Sequence, residues 1–187
     1  MTKHGTLDSC KDISTLDVFS EFRDGTPWGD AAPNWKISLT NRERDAYREM
    51  IRRAAFAGLG NVLDVGAGWG RISIFLAEVN DFVAGIDRNE GGMEIARRLA
   101  SRFDLDNTEF QVASAQEIPY PDERFDGVWC YSVLNYTPRG AVLDEFRRVV
   151  RPGGRIYIGK YNSLGMLMGK FLHGLATQGA DDNLVNW

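Results

Sequence analysis

From Asn61 onward, short apolar runs alternate with longer stretches whose apolar residues recur every three or four positions. The runs Asn61–Val65 (NVLDV), Phe82–Asp87 (FVAGID), Thr108–Val112, Phe125–Val133 (FDGVWCYSV) and Ile156–Gly159 predict five short strands. Between them, Ile72, Phe75, Leu76 and Val79 lie on one face of a helix. So do Met93, Ala96, Leu99, Ala100 and Phe103, and again Val142, Leu143, Phe146, Val149 and Val150. Arg151-Pro152-Gly153-Gly154 predicts a stop for the last helix: proline disfavours helical geometry in the residue before it, and glycine permits the turn. Upstream, Thr40 and Glu43 have the spacing of a capping box, and Tyr47, Met50, Ile51 and Ala54 follow on one helical face. Arg44, Arg48 and Arg52 form a stripe elsewhere on that helix. It reads as a solvated face partnered locally by Asp45 and Glu49, with a dock for an acidic substrate as the alternative.

Strands alternating with amphipathic helices predict an α/β domain, a doubly wound, mostly parallel sheet with helices on both faces. Ligands of such sheets bind beyond the carboxyl ends of the strands, where strand order reverses. The domain is expected over residues 39–187, with its core at 60–160. Residues 1–38 read as an irregular arm, rich in turn formers and aromatics, with one short helix around Leu16 to Phe22.

Composition narrows the options. The 187 residues suffice for one domain, and 43% hydrophobic with 26% charged residues is the balance of a globular protein. A formal net charge of −4 disfavours nucleic acid as a bulk partner, since phosphate binding relies on a basic face. Cys10 and Cys130 have no metal-ligand spacing and do not suggest a disulfide framework, so a reducing cytoplasm is the expected setting. His4 and His173 fit no zinc pattern, and no metal site is expected. No stretch approaches the roughly 20 apolar residues that cross a bilayer, so no membrane span is expected.

The candidate chemistry begins where the first strand runs into Asp64-Val65-Gly66-Ala67-Gly68-Trp69-Gly70. Glycines there allow backbone angles closed to other residues and let a ligand approach the main chain. The dinucleotide fingerprint is GxGxxG, whereas this loop is GxGxG, with Arg71 in place of the third dehydrogenase glycine. Asp87 closes the second strand about 20 residues further on, where a carboxylate can accept from both hydroxyls of a ribose. Its bland alternative is to cap the following helix.

Four blocks carry a family resemblance: VLDVGAGWGR, GIDRNEGG, SAQEIPYPDERFDGVWCYSVLNY and FRRVVRPGGRIYIG, together covering roughly residues 60–160. In this order and spacing the chain resembles a class I S-adenosylmethionine-dependent methyltransferase of the small-molecule type. That resemblance implies a Rossmann-like methyltransferase fold, S-adenosyl-L-methionine as cofactor and a small-molecule methyl acceptor. It implies that Asp64, Gly66, Ala67 and Gly68 line the methionine half of the cofactor, with Gly70 opening the helix. It places Asp87 on the ribose, Arg88 against the adenine, the Ala115 amide on the adenine ring, and the Cys130 carbonyl at the methionine ammonium. Where relatives often carry aspartate before that alanine, this chain has Ser114, so the adenine amine falls to Ser114 or Gln116. Trp28 and Trp35 lie in an arm that in relatives often closes over the cofactor, and packing on the sheet edge is the other reading.

The acceptor side is expected in the loop after the fourth strand, with Tyr131, Asn135 and Tyr136 as positioning groups or as plain packing. His173 falls in a further helix, Ser163 to Thr177, as a boundary residue. Proteins of this fold usually add two strands after that helix, but here DDNLVNW follows. The expectation is therefore an incomplete C-terminal part, with the edge beside the fifth strand open. Two alternatives to a methyltransferase stand at this point: a cofactor-binding domain without turnover, and a nicotinamide-dependent oxidoreductase.

Overall fold

The computed structural model describes residues 41–159 and 183–185. The arm expected over residues 1–38, the helices expected at Leu16–Phe22 and Ser163–Thr177, and Trp28, Trp35, Thr40 and His173 lie outside them. The elements run α1 (Asn41–Arg53), β1 (Asn61–Val65), α2 (Arg71–Ala77), β2 (Phe82–Asp87), α3 (Glu90–Arg102), β3 (Thr108–Val112), β4 (Phe125–Tyr131), α4 (Arg139–Val149), β5 (Val150–Gly159) and β6 (Asn183–Val185). Among the described helices none is long and apolar enough to cross a membrane.

One sheet carries the strands in the order β3-β2-β1-β4-β5-β6. The first five are parallel and β6 returns antiparallel to β5, with Ile156 opposite Val185. The expected open edge is thereby corrected: over Ile156–Ile158, backbone groups of β5 find partners in the returning chain.

The strands are covered on both faces, which is why β1, β2 and β4 read as nearly continuous apolar runs. Alternate residues feed two cores. Val62, Val83, Trp129 and Tyr157 join Ile51 of α1, Phe75 of α2 and Leu99 of α3 on one face. Leu63, Ala84, Val128 and Ile156 join Phe146 of α4 on the other. Trp129 stacks on Tyr157 with centroids 3.8 Å apart, and Phe56 meets Trp129 edge-on.

Several boundaries and faces differ from expectation. β4 ends at Tyr131, not Val133, because Ser132 adopts a left-handed φ of 62° and turns the chain off the sheet. β5 begins at Val150: the Arg151–Gly154 segment is an irregularity within the strand, between the pairs Phe125–Val150 and Gly127–Arg155. In α2, Ile74 is fully buried while Val79, beyond the helix, is exposed. The arginine stripe of α1 divides: Arg52 pairs with Glu49 as expected, Arg48 reaches across to Glu78 at 2.9 Å, and Arg44 is buried.

Candidate active site

Strand order reverses between β1 and β4, and the carboxyl ends of β1, β2 and β4 open there into a cavity of about 490 Å³. Its floor is the turn after β1. Gly66, Gly68 and Gly70 all have left-handed φ (75°, 60° and 82°), and the amides of Gly66 and Ala67 donate to the Ile86 carbonyl at the end of β2. The three glycines serve different ends. A Cβ on Gly68 would meet nothing within 4 Å, so this is the place where a ligand can lie on the bare backbone. A Cβ on Gly66 would strike Val133 of the loop after β4. A Cβ on Gly70 would sit 2.7 Å from the Ala96 Cβ of α3, so Gly70 serves helix packing and does not line the cavity.

Asp64 is buried at the cavity floor, where the Ser73 hydroxyl donates to its Oδ2 at 2.6 Å. Burial pushes its carboxyl up to about 7, opposed by that hydrogen bond and assisted by the nearby Asp87 carboxylate. Asp87 stands at the rim between two amides: Oδ2 accepts from Gly68 N at 2.9 Å and Oδ1 from Asn89 N at 2.9 Å. The cap of α3 is Asn89, whose side chain accepts from Gly92 N, so Asp87 is not the helix cap.

Of the residues expected from sequence, Asp64, Gly66, Ala67, Gly68, Asp87, Arg88, Ser114, Ala115, Tyr131 and Tyr136 line this one cavity. Four do not: Gly70, Gln116, Cys130 and Asn135. Cys130 is wholly buried in the face packed by α4, and burial pushes its thiol up to about 12. Its successors Tyr131, Ser132 and Val133 form the wall instead. Gln116 and Asn135 are exposed, and the Ser114 hydroxyl accepts from the Gln116 amide at 3.2 Å.

The sequence reading missed Trp69, Ile72, Gly92, Ile95 and Thr137 as lining residues. Trp69 sits inside the glycine loop, where a large aromatic was itself a signal. Arg71 packs its guanidinium over both Trp69 and Tyr47, tying α1 to the rim (5.2 and 5.0 Å to the centroids). Gly92 is legible only in three dimensions: a Cβ there would lie 2.6 Å from the Gly68 carbonyl oxygen, so α3 can start against the loop only with glycine at this point.

A glycine turn, a buried carboxylate and a rim carboxylate around one cavity, at the reversal point of a sheet in this order, are the arrangement of the class I methyltransferase fold. A family model described as methyltransferase domain matches residues 58–183, and the chain belongs to that family, in its S-adenosylmethionine-dependent class. This answers the nicotinamide alternative. Among relatives, 27-O-demethylrifamycin SV methyltransferase of Amycolatopsis mediterranei is 35% identical over 153 residues, covering 78% of this chain and 56% of that protein. A demethylmenaquinone methyltransferase of Symbiobacterium thermophilum is 34% identical over 116 residues, covering 58% of this chain and 45% of that protein. The chain thus spans about half the length of these relatives. In fold it is similar to the YcgJ protein of Bacillus subtilis, with TM-score 0.59 at 22% identity, covering 68% of this chain and 56% of that one.

Proposed function

We propose that this chain transfers a methyl group from S-adenosylmethionine to a small organic acceptor by in-line displacement. The observation that carries the reading is the shared cavity: Asp64, Gly68 and Asp87 lie on its floor and rim, with Tyr131 and Tyr136 in its wall. Bound there, the cofactor supplies a methyl carbon on a sulfonium, already activated for transfer.

The residues fit that group. Gly68 leaves open backbone, and the buried Asp64 carboxylate offers a counter-charge to an ammonium that no phosphate ligand would match. Asp87 keeps acceptor capacity beyond its two amide bonds and takes the ribose hydroxyls. Arg88, Ser114 and Ala115 take the adenine end, and the backbone after Cys130 takes the methionine end. Tyr131 and Tyr136 orient the acceptor; Gln116 and Asn135, outside the wall, are given no role. The chain's own work is to align nucleophile, carbon and sulfur and to exclude water. We place it in a reducing cytoplasm, in keeping with the free thiol of Cys130.

The relatives named above act, by their names, on a rifamycin and on demethylmenaquinone, both small organic molecules, which supports this acceptor class. Calorimetry with S-adenosylhomocysteine, followed by transfer of a labelled methyl group to a panel of phenolic, enolic and amine acceptors, tests the proposal. Heat of binding with label in a small molecule is expected. Binding with no transfer to any acceptor would leave a cofactor-binding module, and no binding by folded protein would end the reading.

A further inference from the structure

Ser114 and Ala115 continue the cavity wall beside β3, and the chain then runs on through Glu123 to β4 as an irregular segment. Its few internal bonds are local: Glu117 N to Ser114 O at 3.1 Å, Gln116 N to Ser114 Oγ at 3.2 Å and Tyr120 N to Ile118 O at 2.8 Å. Backbone that a strand or helix would pair is instead paired by two side chains of α4. Glu145 and Arg148, three residues apart, lie on one face of that helix. Glu145 Oε2 accepts from Ile118 N at 2.6 Å. Arg148 donates through Nη2 to Ile118 O at 2.9 Å and through Nη1 to Tyr120 O at 2.7 Å and Asp122 Oδ1 at 3.0 Å. The two side chains also bind each other in a two-pronged pair at 2.7 and 2.8 Å, which keeps the carboxylate aimed at the amide. The Arg148 carbonyl accepts from Glu123 N at 2.9 Å, closing the far end.

We propose that Glu145 and Arg148 act as a clasp that holds the Ser114–Ala115 wall in its ligand-ready geometry, which makes Arg148 a positioning residue for the adenosine half of the cofactor. This rests on the reading of that wall as the adenine side. The physical reason is entropic: an unclasped loop must be ordered when the ligand arrives, and that cost is subtracted from affinity. Only arginine can do this at position 148, because a planar fork reaches two carbonyls and two carboxylates at once, where a lysine ammonium reaches fewer. Glu145 is held below the usual carboxylate range by Arg148, so the pair stays charged at neutral pH.

The test measures dissociation constants for S-adenosylhomocysteine and for 5′-methylthioadenosine, well below the melting temperature, in wild type, Arg148→Ala, Arg148→Lys and Glu145→Gln. Arg52→Ala, which removes an exposed pair on α1, is the control. The expected result is about tenfold weaker binding of both ligands in Arg148→Ala, by the same factor, with partial recovery in Arg148→Lys and the control unchanged. A purely structural arginine would lower the melting temperature and leave both constants alone, and that result overturns the clasp. Should Arg148→Ala fail to fold, wild-type affinity in both Arg148→Lys and Glu145→Gln overturns it equally. Absence of binding in the wild type would instead remove the adenine-wall reading together with the clasp.

Discussion

The backbone amide of Gly68 donates to Oδ2 of Asp87 at 2.9 Å, so the glycine turn after β1 and the acid that ends β2 are one hydrogen-bonded unit. Nineteen residues apart in sequence, they fix each other's place at the mouth of the cavity. The other oxygen of the same carboxylate holds the Asn89 amide that leads into α3. Loop, strand end and helix entry are therefore set by one side chain.

Substituting Asp87 tests that unit. Asp87→Asn keeps one carbonyl oxygen and turns the other acceptor into a donor, so one of the two amides loses its partner. We expect a stability loss of about 1–3 kcal/mol and an affinity for S-adenosylhomocysteine weaker by more than about tenfold. Urea denaturation and calorimetry check the two parts. Wild-type affinity in a folded Asp87→Asn protein would remove Asp87 from the ribose site.

Gly68 and Gly70 separate ligand space from packing space. At Gly68 a side chain meets only open cavity but must adopt φ +60°, so Gly68→Ala costs about 1–2 kcal/mol in strain and leaves a folded domain. Gly68→Val adds bulk where the ligand lies, and S-adenosylhomocysteine should no longer produce a thermal shift.

At Gly70 the added methyl collides with Ala96. Gly70→Ala should cost more stability than Gly68→Ala, on the order of 2–4 kcal/mol from strain plus overpacking. Ala96→Gly should restore part of it in the double variant. A double-mutant cycle in chemical denaturation measures the coupling, and strict additivity would contradict the contact.

Asp64 gives a pH signature. Its folded carboxyl lies near 7, above the ordinary value of 3.8, so the native state holds a proton that the unfolded chain has released. Stability of the unliganded protein should fall as pH rises from about 4 to about 7 and then level off, by a few kcal/mol at most. Asp64→Asn should lack that slope and be the more stable protein at pH 8. Affinity for S-adenosylhomocysteine should rise with pH through the same window in the wild type, because the ammonium prefers the ionised carboxylate. Thermal melts and calorimetry at pH 5.5, 7 and 8.5 decide it; identical stability profiles for the two proteins would show that Asp64 carries no such proton.

Much of the molecule was written locally. Three strands appear with the bounds their apolar runs predict, at Asn61–Val65, Phe82–Asp87 and Thr108–Val112, because a strand covered on both faces has few alternatives. The face of α3 from Met93 to Phe103 is buried as its period requires. The glycine turn and Asp87 were legible for a similar reason: positive φ and a carboxylate at a strand end are properties of single residues in a local pattern. The placements that failed depended on partners far away. Arg44 and Arg48 look like surface charges along α1, yet one is buried and the other is matched by Glu78, thirty residues on.

By itself, then, the chain's pattern of apolar periods and glycines determined the α/β architecture and the end of the sheet at which the cavity opens, and its four motif blocks carried the resemblance to the family. Tertiary packing decided what each glycine is for, which carboxylate is taken out of water, and which arginine grips the loop beside the cavity. The division has a physical cause. Backbone preference and hydrophobic period act within a few residues, whereas desolvation, steric contact and long-range hydrogen bonding exist only once distant segments have been brought together.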